Sequence, residues 1–245
     1  RHMTALNPDC KIEPVVDQFG PDNAADLCNG VDIVLDCADS FAASYIASDH
    51  CLAQGLPLIS ASVVGTDGYC GGFCQTAPGL RAIFADLPES LGSCATNGVL
   101  GPAVGVIGAL QAQMAMAVLT MTTPSPLGQL VTYDALSFRF GGFRFDGAEN
   151  PEPNPAFVSP RAIDPTDFVV DLRAVDEPGP ALKEAQRCVV SDFVPGGPQP
   201  GHGQRAVLAC RSGLRAWQAA DRLAAYWEGD IALIALGDEP GGEAA

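Results

Sequence analysis

VDIVLDCADSFAASYIASDHCLAQGLPLISASVVG, residues 31–65, is the stretch from which the fold of this chain is read. Residues 31–39 form an apolar run closed by two carboxylates, Asp36 and Asp39, and predict a buried strand. SFAASYIASDHCLAQ (40–54) predicts a helix, with Gly55 as its C-terminal stop. LPLISASVVG (56–65) is a second apolar strand, and YCGGFCQTA (69–77) a third whose paired glycines imply a bend. Strand, helix and strand in that order predict a βαβ crossover and a mostly parallel sheet.

Downstream, NGVLGPAVGVIGALQAQMAMAVLTM (97–121) has no charged residue and is long enough to cross a bilayer. Pro102, its glycines, Gln111, Gln113 and the lack of flanking basic residues favour instead a helix buried in a soluble core. Apolar on every side, that helix requires cover from a sheet or a second subunit. GQLVTYDALSFRFGGFRFD (128–146) alternates apolar and polar residues and predicts two antiparallel strands. GAENPEPNPAFVSP (147–160), with four prolines and no periodicity, predicts a linker. Beyond it FVVDLR (168–173), CVVSDF (188–193), RAVLACR (205–211) and IALIAL (231–236) predict strands, and SGLRAWQAADRLAAYW (212–227) a helix. The chain thus reads as two α/β units, 1–146 and 161–245, joined by residues 147–160.

A chain of 245 residues with 47% hydrophobic and 17% charged residues builds a core. A formal net charge of −16, with 13 basic residues, discounts nucleic acid and anionic membrane as partners. Nine cysteines, odd in number and irregular in spacing, read as the reduced thiols of a cytoplasmic protein and not as a disulfide framework. RHMTALNPDC, at the start, has neither the apolar core nor the cleavage site of a signal peptide, and RHMTALNPDCKIEPV (1–15) reads as a helix leading into an internal strand.

LACRSGLRAW (208–217) raises the question of chemistry, because a thiol, Cys210, stands where a strand hands over to a helix. Unsatisfied N–H groups at a helix start favour an anion, and Arg211 and Arg215 add full charges if they point inward. Both effects lower a thiol pKa, which would make Cys210 a nucleophile. The alternative is a small buried side chain beside a tight turn. A cysteine-dependent phosphatase loop would place its arginine six residues after the cysteine, where this chain has Ala216. Arg215, at the fifth position, closes a tighter loop suited to the terminal sulfur of a persulfide.

Residues 161–245 resemble a rhodanese-like sulfurtransferase domain, VVDLR standing for its Asp-x-Arg strand and CRSGLR for its active-site loop. The resemblance implies that Cys210 carries the persulfide, cradled by the backbone of Arg211, Ser212, Gly213, Leu214 and Arg215, with Asp171 and Arg173 as structural anchors. Residues 31–73 together with SCATNGVLGPAVGVIGALQAQMA (93–115) resemble the ThiF/MoeB/HesA adenylyltransferases, relatives of ubiquitin-activating enzymes. The implied fold is α/β: the C-terminal part of an E1-like Rossmann-type domain, then a small rhodanese-like α/β domain.

That second resemblance implies ATP and Mg2+ as cofactors, a ubiquitin-like sulfur-carrier protein ending in Gly-Gly as partner, and a homodimer. Asp39 matches the family's Mg2+- and triphosphate-contacting aspartate, at the carboxyl end of a strand where such folds bind ligands. Cys94 matches the mobile-loop cysteine that some members link to the carrier. The family's Asn and Arg near that aspartate are here Ser40 and Ser44. The first Cys-x-x-Cys pair of its zinc site falls on Gly79 and Ala82, and the second on the cysteine-free DGAENPEPNP, so no structural zinc is expected. No Gly-x-Gly-x-x-Gly and no Walker lysine are found, and the expectation is a fragment lacking half its nucleotide site.

The leading functional expectation is that the parent protein adenylates a sulfur carrier and delivers sulfur to it from Cys210, for thiamine, molybdopterin or a related pathway. A cysteine desulfurase is the kind of protein that would supply the sulfur. Two alternatives stand beside it: a persulfide sulfurtransferase with residues 1–146 serving dimerisation and docking, and a non-catalytic binding module.

Overall fold

The computed structural model describes residues 2–84, 98–151, 155–177, 182 and 184–237. Two five-stranded sheets organise them. After two short helices, α1 (His2–Leu6) and α2 (Ala24–Leu27), the first sheet takes β1 (Val34–Asp36), β2 (Pro57–Val64), β3 (Asp67–Cys74), β4 (Gln129–Asp134) and β5 (Arg139–Arg144), in that spatial order. Helix α3 (Phe41–Gln54) crosses from β1 to β2, and α4 (Gly101–Leu119) lies across β2 and β3. The second sheet has the order β6 (Ala156–Phe157), β10 (Ile231–Ala235), β9 (Ala206–Cys210), β7 (Phe168–Asp171), β8 (Gln186–Arg187), all parallel. Helix α5 (Leu214–Ala224) connects β9 to β10.

The β1–α3–β2 crossover forms as the opening stretch implied, and Gly55 ends α3 at φ 65°, the left-handed conformation that glycine adopts freely. The first sheet is not mostly parallel, however. Only β1 and β2 run together, and β2 to β5 form an antiparallel meander. The physical reason is connection length: Gly65 and Thr66 alone join β2 to β3, whereas a parallel return needs a dozen residues or more.

Four further expectations are corrected. Helix α4 is covered on one stripe only, through Ala103, Ile107, Gln111, Met114 and Ala115, while Val104, Met116 and Leu119 stay exposed. One sheet face can cover only one side of a helix. CVVSDF is not a strand: the Asp192 carboxylate accepts the Val189 N–H at 2.9 Å and closes a 3-10 turn over Val190–Asp192. The strand precedes it, as β8. The early KIEPV segment, read as an internal strand, is exposed chain without ladder partners among the described residues. Finally, residues 147–160 are not a free linker, since Ala156 and Phe157 pair with β10 and Asn150 reaches back to Gly79.

One hydrophobic cluster runs through both sheets, from Leu58, Phe73 and Leu80 to Leu208, Leu223 and Leu233. Each such side chain contributes about 1.5–3 kcal/mol by leaving water. Where the sheets meet, the rings of Phe41 and Tyr45 on α3 pack edge-on against Trp217 of α5, at 5.6 and 4.8 Å between centroids. Arg81 lies 4.4 Å over the Trp217 ring, while its guanidinium grips Asp49 with two 2.8 Å bonds.

Candidate functional site

Cys210 ends β9, and its side chain is fully buried. Helix α5 begins after Gly213, which has no capping side chain. The Cys210 sulfur does that work instead, accepting the N–H of Gly213 at 3.1 Å and of Ala216 at 3.4 Å. Orphan N–H donors at a helix start thus point at the sulfur. Gly213 sits at φ 88°, and an added Cβ there would come within 2.6 Å of the Phe157 ring. Glycine is required by conformation and by space.

The two arginines of the loop divide. Arg211 is exposed, and its backbone oxygen accepts the Gly237 N–H at 2.9 Å. Arg215 is partly buried and its guanidinium holds both oxygens of Glu177, at 2.6 and 2.7 Å. That bond raises the Arg215 pKa, and the charge of the nearby Cys210 sulfur adds to the effect. The same contact holds Glu177 below the usual carboxylate range. Glu177 was missed in the sequence, where it lies 33 residues before the cysteine in a loop without pattern.

Asp171 and Arg173 are buried and bound to each other by side-chain bonds of 3.0 and 2.9 Å, with Arg187 3.2 Å from the same carboxylate. They brace the end of β7.

In the first sheet, Asp39 lies in the turn between β1 and α3, exposed and without a hydrogen bond or ion pair among the described residues. Ser40 is spent as the α3 N-cap, accepting the Ala43 N–H at 3.5 Å, and the Ser44 hydroxyl donates to the Ser40 carbonyl. The turn is held from behind. Asp36 accepts the Ala38 N–H at 3.1 Å and the Ser60 hydroxyl at 2.7 Å. Gln111, buried in the apolar helix, donates to the carbonyls of Asp36 and Ile59 at 2.8 and 3.0 Å and accepts the Cys37 thiol. A cavity of about 450 Å³ lined by Phe19, Leu27, Cys28, Ile33, Cys37 and Ala43 opens beside β1. Cys94 lies outside the described residues.

At the position the resemblance gives to zinc, the Gly79 N–H donates to Asn150 at 2.7 Å, and Arg81 bonds the Pro155 carbonyl at 3.2 Å. Among the described residues, no group of three or more His, Cys, Asp or Glu side chains converges on a metal position. Cys51, Cys70 and Cys74 are packing residues, and burial pushes their thiols up to about 12.

Known proteins bear on these features. The SAMP-activating enzyme E1 of Haloferax volcanii is 34% identical over 140 residues, 56% of this chain and 52% of that protein. The adenylyltransferase and sulfurtransferase MOCS3 of Drosophila grimshawi is 31% identical over 199 residues, 78% of this chain and 44% of that protein. The chain therefore spans about half the length of these relatives. Among solved structures, that of E. coli MccB with AMPCPP and MccA aligns with a TM-score of 0.50, covering 61% of this chain and 47% of that one. At 12% identity the likeness is of fold alone, mixed α/β of the E1-like Rossmann type. Residues 1–154 match the ThiF family, and the chain belongs to that family.

Proposed function

We propose that the parent protein activates a ubiquitin-like sulfur carrier at its C-terminal Gly-Gly, and that residues 161–245 of this chain, a rhodanese-like domain, deliver the sulfur through a persulfide on Cys210. The observation that carries the sulfur half is the Cys210 side chain seated at the start of α5 under two backbone N–H donors. The similarity to MOCS3 supports it, since 78% of 245 residues exceeds the 154 of the ThiF match and so runs into the second sheet.

The Cys210 thiolate attacks the outer sulfur of a persulfide or thiosulfate donor; an S–S bond forms, the donor's bond breaks, and the donor thiolate or sulfite leaves with the electron pair. The terminal sulfur then attacks the activated carbonyl of the carrier and AMP departs. A second thiol, that of Cys94 or of a cellular reductant, opens the resulting acyl disulfide at the Cys210 sulfur and frees the thiocarboxylate.

ATP with Mg2+ is the cofactor implied for activation, and the residues present fit it in part. Asp39, exposed and unpaired among the described residues, suits a metal and phosphate contact. Ser40 and Ser44 are engaged within α3, and the chain has no glycine-rich phosphate cradle, so no adenylation step is assigned to these residues. The exposed stripe of Val104, Met116 and Leu119 on α4 supports a homodimer, and a cysteine desulfurase is the sulfur donor proposed.

The test is persulfide loading. Incubated with thiosulfate, the chain should gain the mass of one sulfur and release thiocyanate to cyanide, and Cys210→Ala should abolish both. A folded chain that takes no sulfur from thiosulfate or from a desulfurase would move the reading to a binding module.

A further inference from the structure

The Cys210 loop is closed from outside by other parts of the chain. Gly213, whose N–H binds the sulfur, faces the Phe157 ring and, at 3.2 Å from its Cβ position, the Cβ of Ala42 on the first turn of α3. On the other flank, Gly237 is bonded to the Arg211 carbonyl and lies against the Gln18 side chain. Ser159, two residues beyond Phe157, donates to Asp22 at 2.6 Å, which ties β6 to the same early segment. Phe157 itself is fixed among Phe41, at 6.4 Å, and Trp217, at 6.2 Å between centroids. The result is a thiol with no exposed surface, sealed where the second sheet docks on the turn that carries Asp39.

We propose that Phe157, backed by Ala42, gates the Cys210 sulfur, keeping it shut while the loop rests on α3 and opening it when the loop lifts or the ring turns away. The inference rests on the reading above for what Cys210 does, but the gate is a statement about access alone. A persulfide exposed to water and free thiols loses its sulfur, so a donor cysteine that opens only at a docked turn confines delivery to the place where an activated carrier arrives. Among reagents, the gate selects by size, because a small anion needs a smaller opening than a protein tail or a bulky maleimide.

The test reads alkylation of Cys210 by peptide mass, with iodoacetamide as small probe and a polyethylene-glycol maleimide as bulky one, at neutral pH on the chain as it stands. In the wild type, Cys210 should react about a hundredfold more slowly than exposed Cys10, as for a site reached only by local opening. Phe157→Ala should raise the Cys210 rate about tenfold or more with the small probe, and more with the bulky one, leaving Cys51 and Cys188 unchanged. Phe157→Leu, which keeps most of the bulk, should restore protection. Wild-type Cys210 reacting as fast as Cys10 overturns the gate, as does a Phe157→Ala rate that is unchanged or a rise shared equally by Cys51 and Cys188. Thiosulfate loading, measured separately, decides the sulfur chemistry whichever way the alkylation falls.

Discussion

Asp171 shows how a residue outside the reacting group sets the conditions under which the loop survives. Burial pushes its pKa up, but the hydrogen bonds from Arg173 and the charges of Arg173 and Arg187 outweigh burial and hold it below the usual range. A carboxylate depressed in the fold contributes stability in full above its unfolded pKa of about 4, and loses it as pH falls through the lower folded value. Urea midpoints of the chain should therefore be flat from pH 7 to 5 and drop below pH 4. Asp171→Asn should flatten that drop and cost about 3 kcal/mol at pH 7, by stranding the buried Arg173 charge. At this scale the sequence was legible where a residue's neighbours along the chain are its neighbours in space. The CRSGLR loop could be read, because six consecutive residues build it. Glu177 and Arg81 could not, because their partners, Arg215 and Trp217, lie 38 and 136 positions away.

Among the elements, α4 carries the largest difference between expectation and structure. Its sequence is apolar all round, and a linear reading cannot tell which stripe a sheet will cover. Gln111 marks the answer, and its polarity was read only as an argument against a membrane span. Buried, it makes two donor bonds to carbonyls at the ends of β1 and in β2 and so holds the turn before Asp39. Gln111→Met should cost about 1–3 kcal/mol in thermal or urea unfolding, because two buried acceptors lose their donor. Gln113→Met, on the exposed side two residues later, should stay within about 0.5 kcal/mol. The antiparallel turn at Gly65 and Thr66 falls at the short gap, residues 66–68, between the second and third strands read from the sequence, and a reading by hydrophobic runs alone passes over it.

For the whole molecule, the question is whether two sheets behave as one body. The shared core and the stack of Phe41, Tyr45, Arg81 and Trp217 predict a single cooperative transition, in which Trp fluorescence and far-UV circular dichroism change together with urea. Arg81→Ala removes both the Asp49 pair and the cation over the indole. It should cost about 3 kcal/mol and separate the two signals, fluorescence moving first. Coincident signals in that variant would place the coupling elsewhere in the core.

The stretch between the sheets has a mechanical consequence. Asn150 is pinned to Gly79 on one side, and on the other Arg81 holds the Pro155 carbonyl and Ala156 is laddered to β10, so both flanks of the stretch are tied. A swinging arm needs slack. With both flanks tied, Cys210 stays where the two sheets meet, and under the sulfur transfer proposed above the acceptor travels to it, the tail of the carrier being the mobile piece of that proposal.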